Sequence, residues 1–213
     1  MDVVVAGGHG KIALALLGQL AAAGHRARGL IRDPGQAADL EALGAEAVIA
    51  DLEADDIAPH VAGADAVVFA AGAGPGSGAE RKRTVDYGGA VKLIDAAQAN
   101  GIRRYVMVSS MGAADPAGGS EAMRPYLEAK GDADAALEQS GLDYTIVRPG
   151  GLTDEPGTSM IEAAAPSLGR RGEIAREDVA ATLLATLSAD NTIGKAFEVL
   201  AGDVPVEEAV RAL

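Results

Sequence analysis

Tyr126 and Lys130 have the spacing of a proton-transfer pair. They stand four residues apart in the segment YLEAK, inside a stretch that reads as helix, so both project from one face. A neighbouring ammonium favours the phenolate form of a tyrosine. Such a tyrosine can exchange a proton with a carbonyl oxygen while a hydride is transferred. The lysine could also hold a ribose hydroxyl. Ser109 and Ser110 close the apolar run just upstream. Ser110, or Ser109, is the expected hydrogen-bond partner of a substrate oxygen. The spacing alone equally fits a surface Tyr–Lys pair, and the serines upstream tip the reading toward chemistry.

A second chemical feature opens the chain. Gly7-Gly8-His9-Gly10-Lys11-Ile12-Ala13 lies between the apolar run Val3–Ala6 and an Ala/Leu-rich helical stretch. Gly7 permits a tight turn, and Gly10 lets a pyrophosphate approach the backbone. Ala13 lets the helix lie close on the strand. The helix N-terminus then offers free N–H groups and the positive end of its dipole. His9 and Lys11 suit phosphate or solvent contact. Roughly 20 residues further on, NAD-preferring sites place a carboxylate for the ribose hydroxyls. Here Arg32 occupies that region, and a guanidinium suits a 2′-phosphate. NADP(H) is therefore expected over NAD(H), with Asp33 as the rival ribose contact. Asp51 and Leu52 follow the third strand, where an adenine would lie, although Asp51 also suits a helix cap. Ala71 and Gly72 are small enough to pass beneath a ribose and pyrophosphate.

Composition removes other chemistries. The 213 residues contain no cysteine, which excludes disulfides, thiolate metal sites and cysteine nucleophiles. The three histidines, His9, His25 and His60, are scattered, so no metal site is expected. A formal net charge of −13 and 3% aromatic residues argue against nucleic acid as partner. No apolar run is long enough for a membrane span, and the start MDVVV lacks a basic leader, so a cytoplasmic protein is expected. A small-molecule substrate is the expected partner, and the oligomeric state stays open.

These residues need a scaffold. Short apolar runs at 3–6, 27–31, 47–50, 64–70, 104–109, 143–147 and 196–200 alternate with helical stretches, among them 12–23, 82–100, 124–140 and 176–189. Strands alternating with helices imply βαβ units and a doubly wound parallel sheet, an α/β Rossmann fold. Residues 1–213 read as one such domain, with substrate-side loops at about 111–122 and 151–172. The second of these is expected to be irregular.

The segments GGHGKIA, Arg32-Asp33, SSMG at 109–112, YLEAK and SGLDYTIVRPGGLTDEPGT at 140–158 together resemble the atypical short-chain dehydrogenase/reductase branch. More closely, they resemble its small NAD(P)H-binding, NAD-dependent epimerase/dehydratase-like members. REDVAATLLATL and KAFEVLAGD extend the resemblance over nearly the whole chain. The resemblance implies a bound dinucleotide surrounded by Gly7, His9, Gly10, Lys11, Ile12, Arg32, Asp51, Leu52, Ala71, Gly72, Ser109, Lys130, Pro149, Gly150, Gly151 and Leu152. Members of this branch often lack the tyrosine, whereas this chain has both Tyr126 and Lys130. The expected activity is an NADP(H)-dependent oxidoreductase acting on a small carbonyl, quinone or flavin-like acceptor. The alternatives are a non-catalytic NAD(P)H-binding redox regulator and an epimerase or dehydratase that retains its cofactor. The short stretch after Gly150 weighs against a sugar-nucleotide site.

Overall fold

The computed structural model describes residues 1–74 and 76–213. Pro75 lies outside the described residues.

The valine-rich runs form strands because β-branched side chains pack well on a pleated surface covered on both faces. Chain order begins β1 (Asp2–Ala6), α1 (Lys11–Ala22), β2 (Arg26–Ile31), α2 (Ala37–Ala42), β3 (Glu46–Ile49), α3 (Ala58–Val61) and β4 (Ala66–Phe69). It continues through α4 (Ala79–Arg81), a π-helical segment (Lys82–Gly88), α5 (Gly89–Ala99), β5 (Arg104–Val108), α6 (Arg124–Glu138) and β6 (Asp143–Pro149). The last part holds β7 (Gly151–Thr153), β8 (Met160–Ala164), β9 (Glu173–Ala175), α7 (Arg176–Leu187), β10 (Lys195–Ala201), β11 (Val204–Pro205) and α8 (Val206–Arg211).

The main sheet runs β11-β8-β10-β6-β5-β4-β1-β2-β3. From β3 to β10 every pairing is parallel, and β8 is antiparallel to both β10 and β11. The chain winds outward from β1 to β3, then restarts at β4 and winds the other way. The reversal between β1 and β4 opens a crevice at the carboxyl ends of the strands, where such sheets bind ligands.

Side-chain alternation sorts the core into two layers. Val3 and Val5 pack with Leu16, Leu17 and Leu20 of α1 and Val179 and Leu183 of α7. Val4 and Ala6 face the opposite layer, with Leu93 and Ala97 of α5 and Ala133 and Leu137 of α6.

Two expectations from the sequence need correction. The stretch 151–172 is not irregular throughout, because it contains β7 and β8. Residue Met160 opens a strand whose ladder is completed by β10 and β11, both later in the chain. The helix expected from Lys82 is not regular either: Lys82–Gly88 is wound as a π-helix before α5 begins.

Candidate functional site

The sheet collects the sequence-read residues at its carboxyl edge. Gly7 follows β1, Arg32 follows β2, Asp51 and Leu52 follow β3, and Ala71 and Gly72 follow β4. Ser109 and Ser110 follow β5, and Pro149 to Leu152 span the end of β6 and the start of β7.

The turn after β1 is forced to be glycine. Gly7 has φ +81°, and a Cβ there would stand 2.6 Å from Ala71 Cα. A Cβ on Gly8 would stand 2.8 Å from Gly29 Cα. The turn therefore rests directly on the backbone of β2 and of the loop after β4. Gly8 N–H donates to Leu30 O at 2.8 Å, and Gly10 N–H to Gly7 O at 2.9 Å. Leu14 N–H is the first in α1 to bond back, to Gly10 O at 2.8 Å. The Lys11, Ile12 and Ala13 amides ahead of it have no intrahelical acceptor. No side chain caps them, and the first turn holds no acidic residue. Gly10 is exposed beside them.

The flanking charges are arranged around this opening. His9 Nε2 meets Asp39 Oδ2 at 2.7 Å. Lys11 Nζ donates to Asp154 Oδ2 at 2.5 Å, and Arg176 donates to Asp154 Oδ1 at 2.6 Å. Lys11 and Arg176 together hold the Asp154 carboxyl below its ordinary pKa. Arg32 is exposed, and among the described residues no hydrogen bond or ion pair engages it. Asp33, the rival ribose contact, accepts from Gly35 N–H at 2.8 Å and starts the next turn. Asp51 likewise accepts from Glu53 N–H at 2.8 Å, a local turn cap.

On the other side of the crevice, Lys130 turns inward. It is 4% exposed, and its Nζ donates to Val108 O at 3.1 Å and Ala71 O at 3.4 Å. Asp86 Oδ1 is its third neighbour, at 3.3 Å. Two carbonyl oxygens thus accept from the ammonium, and the Asp86 carboxylate stands beside it as counter-charge. The Tyr126 ring centroid lies 5.9 Å from Nζ, so the two residues share a helix face as their spacing predicts. Ser110 Oγ donates to Met111 O at 3.2 Å.

Sequence reasoning missed Asp86, and also the pair Asp134–Arg148. Arg148 reaches Asp134 Oδ2 through Nε at 2.9 Å and a terminal nitrogen at 2.8 Å, and both residues are buried. Burial raises the Asp134 pKa, against the pull of the Ser109 hydroxyl, Arg148 and Lys130. Neither Ser109 Oγ nor Asp134 Oδ1 completes a hydrogen bond of good geometry. The available signal was a lone charge in each apolar segment: Asp86 in TVDYGG and Arg148 in YTIVRP.

A groove of about 820 Å³ runs along α6 between Ala113, Pro116, Pro125, Asp134 and Arg148. It is lined by the first of the two expected substrate-side loops. Thr153 to Glu155 of the second loop line a separate hollow of about 440 Å³ with Lys11 and Arg176. Arg171 donates to Gly118 O at 3.4 Å and joins the two loops. Among the described residues, no cluster of His, Asp and Glu could hold a metal ion, and no helix is long and apolar enough to cross a membrane.

An uncapped helix start behind a glycine turn, small residues after β4 and an unpaired arginine after β2 fit a dinucleotide. Fold and edge together define an NAD(P)-binding Rossmann protein of the atypical short-chain dehydrogenase/reductase kind. Residues 7–190 match the NAD(P)H-binding family, and the chain belongs to it. It is 46% identical over 191 residues to YhfK of Bacillus subtilis, described as an uncharacterised sugar epimerase, covering 89% of this chain and 88% of the relative. A Bacillus halodurans structure designated an NAD-dependent epimerase/dehydratase superposes with TM-score 0.96 at 43% identity, covering 100% of both chains. The oxidoreductase YlbE of Lactococcus lactis superposes with TM-score 0.88 at 27% identity, covering 100% of this chain and 96% of that one.

Proposed function

We propose that the chain is an NADP(H)-dependent oxidoreductase acting on a small carbonyl, quinone or flavin-like acceptor. The observation that carries this reading is one edge with two parts. An uncapped helix start and an unpaired Arg32 flank β1, and Tyr126 stands with a buried lysine across the crevice. The oxidoreductase assignment of the Lactococcus relative supports it.

A bound nicotinamide dinucleotide would supply the hydride. The Lys11, Ile12 and Ala13 amides would hold its pyrophosphate, and Arg32 its 2′-phosphate. Ala71 and Gly72 would let its backbone-side face lie close to the loop after β4. Tyr126 would hold the proton that passes to the acceptor's oxygen. Lys130 would work behind Tyr126, because its ammonium already donates to Ala71 O and Val108 O and is paired with the Asp86 carboxylate. Ser110 would accept or donate at the substrate oxygen. The names of the Bacillus relatives favour one second reading, an epimerase that returns the hydride to its own substrate.

Calorimetry with NADPH and NADH tests the cofactor. Arg32→Ala is expected to weaken NADPH by about 1.5–3 kcal/mol, roughly ten- to hundred-fold, with NADH little changed. With menadione as acceptor, Tyr126→Phe is expected to lower turnover about hundred-fold at similar NADPH affinity. A wild-type protein that binds neither nucleotide would overturn the reading. Tight binding with cofactor retained through purification, and no net NADPH consumption, would favour the epimerase.

A further inference from the structure

The two substrate-side loops are joined by one side chain. Arg171 stands just ahead of β9, and its backbone is fixed against the end of β6. Gly151 N–H donates to Gly172 O at 2.9 Å, and a Cβ on Gly150 would lie 2.4 Å from the same oxygen. Glu198 of β10 also holds the segment, accepting from Leu168 N–H at 2.8 Å and from the Ser167 hydroxyl at 2.7 Å. From this anchored backbone the Arg171 guanidinium reaches the loop after β5, where it donates to Gly118 O at 3.4 Å. Gly118 closes the short turn Pro116–Gly118. The next residue, Gly119, packs on Leu127, the neighbour of Tyr126: a Cβ there would stand 2.5 Å from Leu127 Cδ1. Ser110 opens the same loop, whose Met111 N–H donates to Pro149 O at 3.0 Å. The guanidinium therefore spans the side of the crevice that carries Ser110 and Tyr126.

Its charge has no counterpart. A guanidinium offers five N–H donors in a planar fork, and Arg171 gives one of them, at long distance, to a neutral carbonyl. The chain has 31 acidic residues against 18 basic ones, yet among the described residues no carboxylate pairs with Arg171. The arginines on either side of it are paired, Arg170 with Glu162 and Arg176 with Asp154. The ligand that the fork matches best is a carboxylate, held by two parallel N–H···O bonds.

We propose that Arg171 is a specificity-determining residue, and that the acceptor is a carbonyl or quinone compound bearing a carboxylate. This rests on the oxidoreductase reading above. Tyr126 and Ser110 take the carbonyl oxygen, and Arg171 holds the acid group at the exposed rim. Arg171 is exposed, so Arg171→Ala and Arg171→Lys leave the folded core intact. Arg211→Ala is the control. It removes an equal charge from the end of α8, where Asn191 donates to Arg211 O ahead of β10, at the opposite edge of the sheet.

The probes are 4-carboxybenzaldehyde and methyl 4-formylbenzoate, which share ring and aldehyde and differ in charge. Each is titrated by calorimetry into the NADP+ complex of the wild type and the three variants. The wild type is expected to bind the acid about ten-fold tighter than the ester. Arg171→Ala is expected to bring the two within about two-fold by weakening the acid alone. Arg171→Lys should keep part of the preference, because an ammonium retains the charge without the fork. Arg211→Ala should keep all of it. A wild type without preference for the acid would overturn the proposal. So would a preference that survives in Arg171→Ala, or one lost equally in Arg211→Ala, which would mark long-range charge. NADPH oxidation with menadione and with both aldehydes separates the two readings. Acid preference in binding with no oxidation by any acceptor would sink the oxidoreductase reading and leave the carboxylate contact standing. Oxidation without acid preference would sink the role of Arg171 alone. If the wild type binds no NADP+, the dinucleotide reading fails and the proposal falls with it.

Discussion

Buried charges at the site pull on stability in an unusual direction. Asp134 stands on the buried face of α6 against Arg148, and burial raises its pKa despite that partner. The folded state therefore holds the Asp134 proton more tightly than the unfolded chain does. Its contribution to stability is full below the ordinary carboxylate pKa and is lost as pH rises through the raised value. Asp134→Asn keeps an acceptor for Arg148 and removes the titration. In urea unfolding from about pH 4 to about pH 7, the advantage of the wild type over Asp134→Asn is expected to shrink as pH rises. An advantage that grows over this range would mean that the Arg148 pair outweighs desolvation. The residues that could be read from sequence here were those whose partners are near in the chain. Tyr126 and Lys130 share one helix, and their spacing carries the message. Asp86 and Arg148 meet their partners on other elements, so the lone charge in an apolar segment marks each of them locally but names no partner.

Elements were legible where their pattern is local. The parallel strands are runs of valine, alanine and isoleucine bounded by glycine, and α1 follows its turn at once. β8 was not legible, because MIEAA holds one β-branched residue and both its partner strands come later. The π-helical segment was hidden for another reason: its wider turn has no signature in a period near 3.6 residues. The start of α1 allows a test at this scale. Gly10 is its N-cap, with φ −69° and ψ 149°, which any L residue adopts. Asp is a favoured residue there, better than glycine by a few tenths of a kcal/mol. A Cβ would press on Gly7 O at 3.3 Å, which consumes some of that gain. Gly10→Asp is therefore expected to shift the melting temperature by less than about 3 °C. The same carboxylate would occupy the free amides and repel a pyrophosphate. NADPH affinity should fall by about 2 kcal/mol or more, roughly thirty-fold. Unchanged affinity would show that the α1 amides do not hold the phosphates.

At the scale of the molecule, the doubly wound parallel sheet was legible from the alternation of strands and helices, whereas the strand order that puts the reversal, and with it the crevice, between β1 and β4 was not, because alternation fits more than one order. The electrostatics of that crevice set two ranges against each other. The chain carries a formal net charge of −13, and NADPH carries more negative charge than NADH by its 2′-phosphate. Diffuse repulsion thus disfavours NADPH, and it acts over distances that salt removes. The screening length falls from about 10 Å at 0.1 M to about 3 Å at 1 M. The contact proposed for Arg32 acts over one hydrogen bond and is screened less completely. In Arg32→Ala only the repulsion is left, so its affinity for NADPH relative to NADH should rise as salt increases. In the wild type, weakening of the arginine contact offsets that rise, and the ratio should change less. Calorimetry of both proteins with both nucleotides at about 0.1 M and about 1 M salt reads the two slopes. Equal slopes would mean that Arg32 does not meet the 2′-phosphate, and any NADPH preference would then have to come from elsewhere on the adenosine side.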